Sequence, residues 1–169
     1  MKTKGVIFDM DGTLLDSMHL WSGDYNGGSL SEGYNGKLSL KDGALDFLNS
    51  LRENKIRMVL ATATDRRFVR PAIKNAGISG CFETVLTCGE VGSEKNTPLI
   101  YHKALDFLGL EKDEVWVFED AYYAVKTAKL AGFKVAGVHD KWAYNQDKIA
   151  LLCDIYIKSF KEVGVGDLG

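Results

Sequence analysis

Short apolar runs alternate with longer segments of helical periodicity along most of the chain. Runs of this kind predict buried strands at residues 6–8, 57–61, 84–86, 115–118, 133–138 and 155–157. The segments between them carry apolar residues at positions i, i+3, i+4 and i+7, which is typical of amphipathic helices. Regular alternation of strand and helix predicts an α/β fold, a doubly wound parallel sheet of the Rossmann-like type with helices on both faces.

Four helices are predicted between these strands. The first follows Asp42, the second follows Asp65 as its N-cap, and the others cover residues 97–108 and 121–131. Pro71 lies within the second helical segment. Because proline is tolerated best in the first turn of a helix, we expect the regular helix to begin close to Pro71.

One segment, residues 18–40, interrupts the alternation. It is rich in glycine and polar residues, and it contains two Asn-Gly steps, at residues 26–27 and 35–36, which are typical of hairpin turns. We therefore expect a short loop or a small β-hairpin flap, with Tyr25 or Tyr34 as a possible contact for a substrate. The segment has too few apolar residues to build a helical domain.

The composition is that of an ordinary globular protein. The chain has 169 residues, which is enough for one core domain over residues 1–169, and it is 46% hydrophobic and 26% charged. A net charge of −2 gives no electrostatic reason to expect nucleic acid or a membrane surface as a partner. The three cysteines have no disulfide or metal spacing, and no signal peptide is recognisable, so we expect a reduced, cytoplasmic setting.

Polar side chains follow three of the predicted strands, and a lysine precedes the third helix. In chain order these residues are Asp9, Asp11, Thr62, Lys95, Glu119 and Asp120. Taken alone, Asp9 and Asp11 could equally form a polar turn after an edge strand. The carboxyl ends of parallel strands meet at one edge of the sheet, however, so these side chains are expected to form one site. Clustered carboxylates suit a divalent cation, and Thr62 at the start of a helix suits a phosphate.

The sequence resembles the haloacid dehalogenase superfamily, and within it the β-phosphoglucomutase-like phosphatases. Residues 9–17, Asp-Met-Asp-Gly-Thr-Leu-Leu-Asp-Ser, match the first family motif, and Thr62 matches the second. Lys95 matches the third motif, and residues 118–120, Phe-Glu-Asp, match the fourth. The four motifs occur in the family order, which makes the set far more specific than any single motif.

The resemblance implies an Mg²⁺-dependent phosphatase that acts through an aspartyl-phosphate. Asp9 would be the nucleophile, and Asp11 would be the general acid and base. Lys95 would balance the charge of the phosphate, and Thr62 together with the main-chain N–H of Ala63 would bind its non-transferring oxygens. The implied catalytic residues are thus Asp9, Asp11, Thr62 and Lys95.

The resemblance also implies how Mg²⁺ would be bound. Its ligands would be Asp9, the main-chain carbonyl of Asp11, and Asp120, with Glu119 acting directly or through water. The expected partner of the protein is a small phosphorylated metabolite, sugar phosphates included, and we expect a monomer or a weak homo-oligomer.

The resemblance fails after Trp21, where members of this subgroup insert a helical cap. Residues 18–40 would replace the cap with a short linker, through natural loss or through engineering, and an open site of this kind implies slow hydrolysis. A sugar phosphomutase core is the first alternative, although such enzymes need a closing cap to keep water from the intermediate. The second alternative is a scaffold of low activity, although every acid of the motifs is present.

Overall fold

The computed structural model describes residues 2–22, 28–36 and 38–169, and a six-stranded parallel sheet lies at its centre. The strand order is β3-β2-β1-β4-β5-β6. The strands are β1 Gly5–Phe8, β2 Arg57–Thr62, β3 Thr84–Thr87, β4 Val115–Glu119, β5 Lys134–Val138 and β6 Ile155–Ile157. Each predicted strand is confirmed to within one residue at either end. The doubly wound order places β1 between β2 and β4, so the chain reverses its direction of winding beside β1.

Helices cover both faces of this sheet. The α-helices of the described residues are α1 Leu30–Asn35, α2 Ala44–Glu53, α3 Arg66–Asn75, α4 Cys88–Val91, α5 Leu99–Leu108, α6 Tyr122–Leu130 and α7 Gln146–Leu152. Side chains alternate along β1, so Val6 and Phe8 pack with α2 and α3 on one face, while Ile7 packs with α5, α6 and α7 on the other. The two apolar layers hold the sheet rigidly beneath its carboxyl edge.

Helix α3 begins at Arg66, so the prediction that it would begin close to Pro71 is wrong. The side chain of Asp65 accepts a hydrogen bond from the main-chain N–H of Arg67 at 2.9 Å, which confirms Asp65 as the N-cap. This cap satisfies an N–H group of the first turn. Val69 and Ile73 of the helix are buried against the core, and this packing holds the turns on both sides of the proline.

The segment between β1 and α2 contains a helix where a hairpin was expected. Residues 30–35 form α1, because Ser29 and Glu32 make a capping box in which each side chain bonds the main-chain N–H of the other. The second Asn-Gly step ends this helix and does not form a hairpin turn. The first Asn-Gly step and Tyr25 lie outside the described residues. Among the helices that the structure describes, none has the length and apolar character needed to cross a membrane.

Candidate active site

The carboxyl ends of β1, β2 and β4 meet at a pocket of about 350 Å³. Phe8 of β1 is paired with Leu60 of β2 and with Phe118 of β4, so the residues that follow these strands lie side by side. The structure brings all the predicted site residues to this pocket: Asp9, Asp11, Thr62, Ala63, Lys95, Glu119 and Asp120. Their chemical roles stay predictions.

A tight turn after β1 brings Asp9 next to Asp120. The main-chain N–H of Asp9 still bonds the Phe118 carbonyl of β4 at 3.0 Å, and the chain then turns at Gly12. Gly12 has a φ of +83°, and a Cβ there would lie 2.3 Å from Oδ2 of Asp120. Only glycine combines this backbone conformation with so close an approach of a carboxylate. The turn therefore depends on the glycine of the first motif.

Asp9, Glu119 and Asp120 form an acidic cluster on the floor of the pocket. Each offers a carboxylate oxygen within 4.8 Å of the others, and all three residues are buried. Burial, and then the charge of Asp9, raise the pKa of Asp120 well above its usual range. Burial also raises the pKa of Glu119, to about 7. Carboxylates held this close in a buried site are the oxygen ligands that a divalent cation requires, so these residues fit Mg²⁺.

Lys95 is the one cationic side chain among the described residues that line this pocket, and it is only 2% exposed. Its Nζ donates hydrogen bonds to Asp9 at 2.5 Å and to Glu119 at 2.6 Å. Burial alone would lower the pKa of Lys95, but the charges of Asp9 and Glu119 outweigh burial and raise it. Lys95 therefore stays charged and compensates part of the negative charge of the cluster. The hydroxyl of Tyr101 also donates to Glu119, at 2.8 Å.

Thr62 is the last residue of β2, and β1 separates this strand from β4. Its hydroxyl accepts a hydrogen bond from the main-chain N–H of Thr64 at 3.1 Å, which stabilises the turn between β2 and α3. Ala63 lines the pocket within this turn. Main-chain N–H groups that precede a helix in this way bind anions well, because the helix dipole adds to their partial positive charge.

The Asp11 side chain is separate from the acidic cluster. Its Oδ1 accepts hydrogen bonds from Ser17 at 2.5 Å and Tyr34 at 2.7 Å, and its Oδ2 accepts one from Thr64 at 2.6 Å. Burial raises the pKa of Asp11, and these hydroxyl donors partly oppose the rise. The carboxyl groups of the two motif acids thus have different environments, which leaves the main-chain carbonyl of Asp11 as its predicted metal ligand.

Sequence reasoning missed several residues around Asp11 and at the pocket rim. Ser17 and Thr64 were not recognised as partners of Asp11, although Ser17 belongs to the matched first motif. Tyr123, which is 51% exposed and lines the pocket together with Trp21, was likewise not recognised. Tyr123 lies in the first turn of α6, directly after the fourth motif, and this position was the available signal.

A family model described as haloacid dehalogenase-like hydrolase matches residues 29–132, more than half of the chain. The chain therefore belongs to the haloacid dehalogenase-like hydrolases. The match agrees with the doubly wound sheet and with the placement of the motif residues at its carboxyl edge. It begins within the segment that links β1 to α2.

Several curated relatives of the chain are named as phosphatases. Validoxylamine A 7′-phosphate phosphatase of Streptomyces hygroscopicus subsp. limoneus is 27% identical over 125 residues, which are 72% of this chain and 56% of that protein. A phosphorylated carbohydrates phosphatase of Thermotoga maritima is 32% identical over 91 residues, 54% of this chain and 41% of that protein. The chain thus spans about half the length of the curated relatives it matches.

Solved structures share the fold at low sequence identity. CbbY from Rhodobacter sphaeroides, in complex with phosphate, has a TM-score of 0.83 and 18% identity, with 96% of each chain covered. L-2-haloacid dehalogenase from Xanthobacter autotrophicus has a TM-score of 0.71 and 17% identity, with 98% of this chain and 96% of that chain covered. At these identities the likeness shows the haloacid dehalogenase fold alone, and the reaction depends on the residues of the pocket.

Proposed function

We propose that the protein hydrolyses small phosphate monoesters through a phosphorylated Asp9 in an Mg²⁺-dependent reaction. The observation that carries the proposal is the juxtaposition of two differently held acids in one pocket. Asp9 lies in a charged cluster with Lys95 and Asp120, whereas the Asp11 carboxyl group accepts hydrogen bonds from the hydroxyl groups of three described residues, Ser17, Tyr34 and Thr64. The phosphatase names of the relatives support the same reaction class.

The two acids divide the chemistry between them. In the first step a carboxylate oxygen of Asp9 forms a bond to phosphorus, the bond to the leaving oxygen breaks, and Asp11 donates its proton to that oxygen. In the second step water attacks phosphorus and gives a proton to Asp11, and the bond between Asp9 and phosphorus breaks. Phosphate leaves, and both acids return to their starting states. The raised pKa of Asp11 favours the protonated form that the first step needs.

The remaining pocket residues bind and balance the phosphate. Thr62, the main-chain N–H of Ala63, and Lys95 would bind the oxygens that are not transferred. Mg²⁺, held by Asp9, the main-chain carbonyl of Asp11 and Asp120, would supply positive charge against the phosphate. The bonds of Glu119 to Lys95 and Tyr101 favour a role for Glu119 in the second coordination shell.

The pocket rim supports a small substrate with an uncharged leaving group. Trp21 and Tyr123 are about half exposed there, and Lys95 is the one cationic residue among the described residues that line the pocket. Sugar monophosphates meet this condition, because a sugar ring can lie against an aromatic face. The described residues of this rim offer no positive charge to a second phosphate group. We therefore expect weak discrimination among monoesters.

Hydrolysis is favoured over the mutase alternative because the described residues leave the pocket open. A mutase must keep water from its phosphorylated intermediate, and the half-exposed Trp21 and Tyr123 do not enclose the site. A reduced, cytoplasmic setting belongs to the same proposal. It is supported by the free thiols of Cys81, Cys88 and Cys153.

Hydrolysis of p-nitrophenyl phosphate with Mg²⁺ or with EDTA tests the proposal. Asp9→Asn should abolish turnover while the circular dichroism spectrum stays that of the wild type, and acid-quenched wild type should carry one phosphate by mass spectrometry. Asp65→Asn is the matched control, because it also neutralises an aspartate, at an exposed N-cap where asparagine serves equally well. Turnover by Asp9→Asn within a few-fold of the wild type would show that Asp9 is not the nucleophile. A wild type inactive under every condition would favour the scaffold alternative.

A further inference from the structure

The segment that links β1 to α2 places a tyrosine on the acid of the active site. Tyr34 of α1 is completely buried, and its hydroxyl lies 2.7 Å from Oδ1 of Asp11. We propose that Tyr34 is a positioning residue, which holds the Asp11 carboxyl group in the orientation from which it donates a proton to the leaving oxygen. This inference rests on the proposed function and extends it to a segment outside the family motifs.

The direction of the Tyr34 hydrogen bond is set by Trp21. The indole Nε1 of Trp21 lies 2.8 Å from the Tyr34 hydroxyl, and an indole N–H can only donate. The Tyr34 oxygen therefore accepts from Trp21, and its own proton is directed to Asp11. Trp21 precedes residues 23–27 in the sequence, and Tyr34 follows them. Residues from both flanks thus contribute to one chain of hydrogen bonds, from Trp21 through Tyr34 to Asp11.

Helix α1 is fixed on the core by contacts of its own. The Tyr34 ring stacks on Phe68 of α3, with 5.3 Å between ring centroids and an angle of 19° between the planes. The side-chain amide of Asn75, at the end of α3, donates to the main-chain carbonyl of Asn35 at 2.9 Å. With the capping box at its other end, α1 holds Tyr34 in a single place. A donor this well fixed can restrict the acid that it bonds.

Three donors on two oxygens define the plane of the Asp11 carboxyl group. Ser17 follows β1 and Thr64 follows β2, so these two donors come from the core motifs, whereas Tyr34 comes from the linking segment. Without the Tyr34 hydroxyl, Oδ1 would keep Ser17 alone, and the carboxyl group could rotate more freely. Proton transfer depends steeply on such alignment, because the acid must lie within hydrogen-bond distance of the oxygen that departs.

The leaving group of the substrate separates positioning from a merely structural role. p-Nitrophenolate departs without a proton, whereas an alkoxide needs one, so only an alkyl phosphate depends strongly on the general acid. The value of kcat/KM covers the steps up to departure of the leaving group and excludes hydrolysis of the aspartyl-phosphate. Tyr34→Phe should therefore lower kcat/KM about 10-fold or more for glycerol 2-phosphate, and less than about 3-fold for p-nitrophenyl phosphate.

Phenylalanine keeps the ring that stacks on Phe68, so the fold should survive, and a thermal melt checks this. Tyr144→Phe is the matched control, because Tyr144 is 87% exposed and is not among the pocket-lining residues. In an Asp11→Asn background, Tyr34→Phe should have no further effect, since the acid it positions is gone. Should Tyr34→Phe not fold, Trp21→Phe, which removes the N–H group that directs the Tyr34 hydroxyl to Asp11, should shift the ratio of the two substrates in the same direction, and an unchanged ratio would contradict the inference.

Three outcomes would overturn the inference. An equal loss for both substrates would make Tyr34 a structural residue. Faster turnover would mean that Tyr34 holds Asp11 away from the substrate, and an undiminished effect in the Asp11→Asn background would mean that it acts elsewhere. The proposed function fails by a different result, which is full activity of Asp9→Asn, so the two failures are distinguishable.

Discussion

Replacing Asp120 with asparagine should stabilise the metal-free protein, which is the opposite of the usual effect of altering a buried polar residue. The carboxylate oxygens of Asp9, Glu119 and Asp120 lie within 4.8 Å of one another. Two unit charges at that distance repel by roughly 3.5 kcal/mol at an effective dielectric constant near 20. Asp120 is repelled by both Asp9 and Glu119. Lys95 forms ion pairs with these two residues and offsets part of their negative charge, and protonation of Asp120 limits the remaining repulsion. We expect a gain of about 1–3 kcal/mol, which corresponds to a rise of roughly 3–10 °C in Tm.

Magnesium should reverse which of the two proteins, the wild type or Asp120→Asn, is the more stable. A cation that binds only the folded state stabilises it by about 2.7 kcal/mol at a concentration 100 times its Kd. The wild type should show a gain of this kind. Asp120→Asn should lose most of it, because one carboxylate ligand has been removed while the hydrogen bond from Thr13 to the side-chain oxygen can remain. The wild type should therefore be the less stable protein in EDTA and the more stable one in excess MgCl₂.

Differential scanning calorimetry at about pH 8, above the pKa of Glu119, measures both effects. Scans are recorded in EDTA and in MgCl₂, with NaCl added to match the ionic strength. Asp106→Asn is the control, since it neutralises an exposed aspartate on α5 outside the pocket. If Asp120→Asn were less stable than the wild type in EDTA and gained as much from Mg²⁺, the acidic cluster would not be a cation site.

Two further predictions concern the same pocket. Gly12→Ala should lower the free energy of unfolding by about 1–2 kcal/mol, because residue 12 has a positive φ. It should also reduce the stabilisation by Mg²⁺, because the added Cβ would displace Asp120. Urea unfolding with and without Mg²⁺ measures both effects, and an unchanged gain from Mg²⁺ would contradict the close approach of Asp120 to Gly12. In EDTA, Glu119 should make the free energy of unfolding fall as pH rises from about 4.5 to about 7, because the folded state then binds more protons than the unfolded state. Mg²⁺ should make this fall smaller, and urea unfolding at a series of pH values measures it. If the free energy of unfolding depended on pH equally with and without Mg²⁺, the prediction would be wrong.

The sheet and the composition of the pocket could be predicted because both depend on local signals. Each buried strand is an apolar run bounded by polar residues, and that pattern needs no knowledge of tertiary contacts. Asp9, Thr62 and Glu119 end or follow strands, and in a parallel sheet with this winding their positions at one edge follow from topology. The convergence of Asp9, Thr62 and Glu119 thus follows from the strand order.

The surroundings of Asp11 depend on long-range contacts, which a local pattern does not contain. The Asn-Gly step at residues 35–36 favours a hairpin, but Ser29 and Glu32 form a capping box, and the packing of Tyr34 on Phe68 supplies the tertiary contact that stabilises the helix. Tyr34 reaches Asp11 only because α1 lies on α3. The start of α3 was misjudged for a related reason, since the cap and the buried face outweigh the preference of Pro71.

The different partners of the two motif acids bear on which reaction this pocket supports. Asp9 is bonded by a buried ammonium group, and loss of its charge would leave Lys95 less well compensated. Asp11 is bonded by neutral hydroxyls, so it can gain and lose a proton without breaking an ion pair. The proposed reaction accordingly assigns proton exchange to Asp11, which lines the pocket together with Trp21 at its rim. The described residues of the linking segment supply Tyr34 to that acid and leave Trp21 and Tyr123 about half exposed. In the proposed reaction water would therefore reach a phosphorylated Asp9, and this favours hydrolysis over transfer to a second substrate.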